Sequence, residues 1–377
     1  MTEWFERCTL VQSMTSNQQL GRFLLIALAG VALLTGLWAG TVRSGWIFPI
    51  QTDQFPIVHG PLMVIGFLGT LIGLERAVSL DGVWPYGIPV LSGVSALSAL
   101  VGLPFQLSAP PAVATSLFLV AVFVTLYRQY PSEHFIVMRL SAFAWLVGNI
   151  IWLEKFPLFH AVPWWASFLV LMIAGERLEL SRVRRPSVTI RAIFHASVAI
   201  VLIGLVLSLF EFHFGLRLAG LGLFAIASWL LRYDLAWHSA QQAGLPRYMA
   251  VCLIAGYFWL AAGGILWLLF AQFFSAGPRY DAMLHSIFLG FVFSMIFAHA
   301  PIILPTITGL ALPFQKSFYL HAGLLHLSLL LRVGGDLGSS LSLKEWGGLV
   351  NTLAVLLFLI NNIRAVKGGA AAPSRSG

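Results

Sequence analysis

Long apolar segments separated by short polar connections make up most of this sequence. Twelve segments approach or exceed the roughly 20 apolar residues that an α-helix needs to cross a bilayer. They cover residues 21–42, 57–80, 87–105, 112–127, 135–153, 159–180, 189–210, 216–231, 248–270, 282–305, 318–331 and 346–363. No connection could hold a sizeable soluble domain, so the pattern predicts an all-α, polytopic transmembrane helical bundle of about 12 spans. The fourth, eighth and eleventh segments are short, which leaves eleven spans as the alternative.

Charged residues are too few for a soluble protein of this length. The 377 residues include 22 Lys and Arg and 14 Asp and Glu, and charged residues make up 10% of the chain, whereas soluble domains average about 25%. The formal net charge of +8 comes from basic residues at the ends of apolar segments and not from one solvated face. We therefore expect the lipid bilayer, and no nucleic acid, as a partner.

The positions of Lys and Arg also predict the orientation, because positive charge is retained on the cytoplasmic side. With twelve spans and the N-terminus inside, sixteen of the 22 basic residues are cytoplasmic. Residues 1–20 lack the apolar core of a cleavable signal and are predicted to form a cytoplasmic segment. Residues 21–364 then form a single transmembrane domain, and 365–377 a cytoplasmic tail.

A sequence repeat relates the second and sixth segments. Phe-Pro at 55–56 precedes His59, Phe-Pro at 156–157 precedes His160, and Glu-Arg stands sixteen residues after each histidine. The predicted repeat is a unit of four helices, roughly 21–128, 134–232 and 247–364. The third unit should carry a histidine at the outer end of the tenth segment, where His285 stands. Such repeats are common in transporters.

Seven of the ten histidines lie inside the apolar segments or at their ends. They are His59, His160, His195, His285, His299, His321 and His326. Polar side chains in a bilayer need partners, and ionisable ones are functional candidates. Asp, Glu and Lys are nearly absent from the segments, which favours neutral imidazole as a ligand of haem iron or copper over carboxylate proton relays. The structural alternative for each histidine is a hydrogen bond to a backbone carbonyl or a serine.

The predicted orientation puts His59, His160 and His285 at one depth near the outer surface, and a haem between two helices requires ligands at equal depth. His299 follows His285 by fourteen residues on the same helix stripe, roughly 21 Å further along the axis. It therefore belongs to the opposite surface.

His321 and His326 lie about 140° apart around one helix, so they cannot both bind a single ion. The chain has only two cysteines, Cys8 and Cys252, which excludes the Cys-x-x-Cys-His site of covalent haem. Any haem would therefore be of the non-covalent b type.

Two further patterns accompany the repeat. Gly66, Gly69 and Gly73 follow His59 and would let a helix or a flat macrocycle approach closely. The Glu75-Arg76 and Glu176-Arg177 pairs are interpreted as mainly structural ion pairs at the cytoplasmic ends.

The run 283–298 resembles the late-span signature of the NnrS family, in which a histidine is followed by glycine five residues on and methionine ten residues on. Here these are His285, Gly290 and Met295, and the segment 59–67 is similar to the early histidine helix of that family. The resemblance implies a bacterial inner-membrane protein of twelve helices that contains haem and copper and is linked to nitric oxide metabolism or nitrosative stress. The His-Thr-Gly-Arg segment of that family is absent, and 306–309 reads Thr-Ile-Thr-Gly.

A remoter resemblance is to the catalytic subunit of haem-copper oxidases, whose second and tenth spans hold a low-spin haem. His59 and His285 match by position. There is no His-x-His on the tenth segment, and Trp164 stands where oxygen reductases carry a tyrosine. We therefore predict neither oxygen reduction nor proton pumping.

The leading prediction is a haem held between the second and tenth spans by His59 and His285. Copper or a second haem would engage His160, His195, His299, His321 or His326. If the protein is an enzyme, it is an oxidoreductase, with an electron donor or a respiratory complex as a partner. The alternatives are a metal-free transporter or permease, and an assembly factor that handles haem or copper for a respiratory oxidase.

Overall fold

Twelve long helices account for most of the chain in the structure, a computed structural model that describes residues 16–47, 55–80 and 82–370. They are α1 (Ser16–Arg43), α2 (55–79), α3 (Gly87–Leu100), α4 (Phe105–Gln129), α5 (Glu133–Leu153), α6 (Val162–Ser181), α7 (Val188–Leu207), α8 (Phe212–Tyr233), α9 (Leu245–Phe270), α10 (Pro278–Thr308), α11 (Phe318–Leu337) and α12 (Leu341–Ala370). No strand occurs in these ranges. Each helix coincides with one of the twelve apolar segments. The all-α fold is therefore confirmed.

Ten of the described helices are long and apolar enough to cross a membrane. The other two are α3 and α11. With 14 residues, α3 is about 21 Å long, short of the roughly 30 Å of a bilayer core. The hydropathy of α11 is lowered by His321, His326 and Arg332. The segments expected to be short, the fourth and eighth, are in fact 25 and 22 residues long.

The predicted terminal segments fall mostly outside the described residues. These are 1–15 of the N-terminal segment and 371–377 of the tail. The count of twelve spans, the orientation and the four-helix repeat stay predictions.

Helices α2, α6 and α10 form the centre of the bundle. The buried share of the apolar window is 61% for α2, 78% for the segment containing α6 and 67% for α10, and no other candidate span exceeds 56%. These are the helices that the histidine pattern related to one another. Their side chains therefore face other helices, where polar groups must be satisfied within the protein.

Small residues allow neighbouring helices to pack closely around this centre. A Cβ at Gly66 would lie 2.7 Å from the Cβ of Ala96, and one at Gly73 would lie 2.4 Å from Cγ2 of Ile88. Both are contacts of α2 with α3. The glycines that follow His59 thus serve helix packing.

Ion pairs join α2, α6 and the α8–α9 connection at the end of the bundle that carries the two Glu-Arg motifs, called here the Glu-Arg end. Arg76 pairs with Glu176, across the two motifs, and with Glu75 at 3.2 Å. Arg177 donates from Nε and Nη2 to the two carboxylate oxygens of Asp234, at 2.8 and 2.7 Å. The predicted ion pairing is thus present, but the second arginine pairs with an aspartate that the sequence did not single out.

We predict that Arg177→Met destabilises the protein by roughly 3–5 kcal/mol, because the buried Asp234 carboxylate loses its counter-ion. Thermal unfolding of the detergent-solubilised chain measures this. Arg232→Gln is the matched control, since Arg232 is exposed at the same end. Equal losses in the two variants would contradict a special role for the Arg177–Asp234 pair.

Candidate histidine site between α2 and α10

His59 and His285 face each other between α2 and α10. Their ring centroids are 6.4 Å apart and the ring planes are inclined by 30°. Sequence reasoning expected these histidines at one depth, and the structure brings them together. His160, the third histidine expected at that depth, does not join them.

A backbone carbonyl of α1 fixes the His59 ring. Nδ1 of His59 lies 2.7 Å from the carbonyl oxygen of Gly36. The ring also lies against Gly40, where a Cβ would come within 2.8 Å of Cε1. A carbonyl can only accept, so Nδ1 carries the proton and the second ring nitrogen, Nε2, is left with a free lone pair.

A carboxylate and an arginine stand behind His285. Nδ1 of His285 is 2.9 Å from the Asp281 carbonyl oxygen and 3.3 Å from the Asp281 carboxylate. Arg332 of α11 donates to both carboxylate oxygens of Asp281, at 2.7 and 3.0 Å. These side chains are largely buried: Arg332 is 7% exposed and Asp281 14%. Histidines that bind metals commonly donate their second N–H to a carbonyl or carboxylate in this manner.

Both helices leave the α-helical geometry within three residues after their histidine. Leu62–Gly69 in α2 and Ser286–Phe293 in α10 are π-helical. Such stretches are rare and frequently occur at functional sites. The eighth residue after each histidine, Phe67 and Phe293, stacks on its counterpart with centroids 5.9 Å apart. The two helices therefore run in the same direction with matched depth over at least two turns.

His299 lies near the opposite end of α10, as its spacing from His285 predicted. Its Nδ1 is 2.8 Å from the Met295 carbonyl oxygen. Glu75, Arg177 and Asp234 lie within electrostatic range of its ring. His299 thus belongs to the ionic cluster of the Glu-Arg end and is separate from the His59–His285 pair.

Both ring nitrogens of His321 are already hydrogen bonded. The Tyr248 hydroxyl is 2.9 Å from Nε2, and Asn361 Nδ2 is 3.1 Å from Nδ1. The ring is fully buried among Phe297, Phe318 and Phe358. These bonds favour the structural alternative for this histidine.

His326 does not share the partners of His321. Its Nδ1 accepts a hydrogen bond from Trp259 Nε1 at 3.1 Å. The predicted divergence of His321 and His326 around α11 is thus observed.

The other two candidates lie at the ends of the bundle. His195 Nε2 is 3.2 Å from the Glu133 carboxylate, and its side chain is 37% exposed. His160 is in a short 3₁₀ turn, Leu158–His160, and packs against Phe159 and Phe212. Neither approaches the His59–His285 pair through any contact in the described part of the chain.

Sequence reasoning missed the residues that support the pair. The one available signal was the spacing of Asp281, four residues before His285 on the same helix face. Nothing in the sequence singled out Arg332, Gly36 or Gly40. Their contacts with the pair come from helices distant in sequence.

We predict that Gly40→Ala displaces the His59 ring and costs about 1–3 kcal/mol of stability through overpacking. Gly30→Ala in the same helix is the control, because nothing lies within 4 Å of a Cβ built there. The melting temperatures of the two variants provide the measurement. A Gly40→Ala protein as stable as Gly30→Ala would show that the His59 ring has room to move.

Comparison with known proteins places the chain in a family without assigning a chemistry. No curated protein is significantly similar to it. A family model described as Domain of unknown function (DUF8744) matches residues 22–367, and so covers the bundle from α1 to α12. The chain therefore belongs to the DUF8744 family.

Proposed function

We propose that the chain is a membrane haem protein in which His59 and His285 are the axial ligands of one b-type haem, and that it transfers electrons. The observation that carries the proposal is the facing imidazole pair, each ring anchored through Nδ1 and left with Nε2 as a donor.

The spacing of the rings agrees with one metal atom between them. With metal–nitrogen bonds of about 2 Å and a distance of about 1.1 Å from ring nitrogen to ring centre, two opposed imidazoles place their centroids about 6.2 Å apart. The observed separation is 6.4 Å.

The number of protein donors favours haem over a bare ion. Within the described ranges, no group of three or more His, Cys, Asp or Glu is arranged to hold a metal ion. A structural zinc site needs four protein ligands and a catalytic one three. Haem iron needs only one or two, because the porphyrin supplies the other four. For this reason the proposal includes no copper.

The chain's own residues would hold and tune the ligands. Gly36 and Asp281 fix the tautomer and orientation of the two rings. The Asp281 carboxylate raises the donor strength of His285, and Arg332 keeps that carboxylate ionised and in place. The stacked Phe67 and Phe293 rings, eight residues beyond the two histidines, make the interface on that side apolar.

Two protein ligands favour electron transfer over gas binding. When bound, the haem would supply a one-electron couple in an apolar setting. A gas such as nitric oxide would have to displace one histidine. The link to nitric oxide therefore rests on the NnrS resemblance alone. The location in a bacterial inner membrane rests on that resemblance and on the distribution of Lys and Arg.

The purified chain should show a Soret band and a reduced-minus-oxidised α band, with haem confirmed by extraction. His59→Ala and His285→Ala should each lose the six-coordinate spectrum. His195→Ala is the control and should keep it, because that ring only pairs with Glu133 near the surface.

A folded, haem-supplied sample without a Soret band would overturn the proposal. The metal-free transporter would then be the leading interpretation. A spectrum that survives both His59→Ala and His285→Ala would place the haem elsewhere.

Asp281→Asn should weaken haem retention by about 10–100-fold, as loss of a hydrogen-bond partner behind a metal ligand typically does. Asparagine keeps the size of the side chain but loses the charge that Arg332 and His285 share. The rate of haem transfer to an acceptor protein measures the effect. Wild-type retention in Asp281→Asn would show that the backbone carbonyl alone orients His285.

A further inference from the structure

A polar cavity of about 250 Å³ opens at the Glu-Arg end, away from the histidine pair. It lies where α5 begins, α6 ends and α7 begins. Its lining residues are Pro131, Ser132, Glu133, His134, Leu178, Glu179, Ser181, Arg182, Pro186 and Arg191. The proposed electron transfer uses none of them.

Two of the four formal charges in the cavity wall are already paired. Arg191 Nη1 is 2.5 Å from Glu133 Oε1, and the other Glu133 oxygen is 3.2 Å from His195. This cluster leaves Glu133 and Arg191 little capacity for a ligand.

Arg182 and Glu179 are the two charges that remain available. Within the described ranges, no hydrogen bond or ion pair holds the Arg182 guanidinium, which is exposed. Glu179 is 52% exposed, and its contact is His134, at 3.4 Å. The cavity thus presents one exposed cation and one exposed carboxylate, which lie within electrostatic range of each other.

Other polar groups line the cavity. The His134 side chain is 6% exposed, and its Nε2 lies 3.4 Å from the Glu179 carboxylate and 3.4 Å from the Ser132 hydroxyl. The Ser132 side chain does not cap α5, so the N–H groups in the first turn of that helix lack a side-chain acceptor. A helix N-terminus with basic residues beside it attracts phosphate.

Exposed apolar side chains also lie near the cavity, at the end of the bundle. Tyr130, Leu180 and Val188 are 61%, 40% and 74% exposed and are adjacent in sequence to lining residues or close to them. A ligand with a polar head and apolar chains matches this combination better than a free ion does.

We propose that this cavity binds the headgroup of a phosphoethanolamine lipid, with the phosphate on Arg182 and the ammonium on Glu179. One cation and one anion match a zwitterion, whereas the glycerol of a phosphoglycerol headgroup would offer Glu179 only neutral hydroxyls and no positive charge. A choline headgroup carries a quaternary ammonium that cannot donate a hydrogen bond to Glu179. The proposal does not depend on the haem.

Native mass spectrometry of the full chain in detergent tests the proposal. Phosphatidylethanolamine, phosphatidylcholine and phosphatidylglycerol with identical acyl chains are added in equal amounts. We expect phosphatidylethanolamine to be retained preferentially. Arg182→Gln and Glu179→Gln should each reduce its retention about tenfold, since each removes one charge-assisted hydrogen bond.

Arg364→Gln is the matched control, because Arg364 is an exposed arginine of α12 outside the cavity. It should retain the lipid as the wild type does. Equal retention of the three lipids, or retention unaffected by Arg182→Gln, would overturn the proposal. Preferential retention of phosphatidylglycerol would also contradict the proposal and would indicate a site for an anionic headgroup. If inorganic phosphate displaces phosphatidylethanolamine at low concentration, free phosphate is the ligand and the lipid assignment is wrong.

Discussion

Polar groups buried in an apolar bundle cannot form hydrogen bonds with water, so each must form hydrogen bonds or ion pairs with another part of the chain. The central helices α2, α6 and α10 carry the polar residues for which this matters most. At the Glu-Arg end, Arg76 is neutralised by Glu176 of α6, and Arg177 by Asp234 of the α8–α9 connection. Near His285, Asp281 and Arg332 neutralise each other. These contacts connect segments far apart in sequence and so fix how the central helices are arranged.

The histidines divide into two groups under the same constraint. His321 uses both nitrogens within the protein, to Tyr248 and Asn361, and so completes the packing around α11. Among the residues that the structure describes, His59 and His285 are hydrogen bonded only through Nδ1, which leaves Nε2 of each ring able to bind a metal. Burying an imidazole nitrogen without a hydrogen-bond or metal partner costs free energy. For this reason the functional proposal uses these two of the seven candidate histidines.

Helix existence could be predicted well because it depends on local composition. Segment lengths and polar boundaries predicted all twelve helices, although α4 begins at Phe105 and not at residue 112. Pro110 and Pro111 are both accommodated within that helix. The shortness of α3 was missed, since Val101 is apolar yet lies beyond the helix end. The π-helical stretches after His59 and His285 could not be predicted, because widening of a helix depends on what packs against it.

The sequence by itself determined that this chain is all-α with helices apolar enough to span a membrane, and it predicted that histidine is the main source of chemistry within the apolar segments. It also indicated that His59 and His285 share a depth. Only the tertiary structure decided that these two rings face each other and that His160 lies elsewhere. It also decided that Asp281 contacts His285 and is itself paired with Arg332. The physical reason is that depth follows from position along one helix, whereas contact depends on which helices pack side by side, and that is set by interactions between residues far apart in the chain.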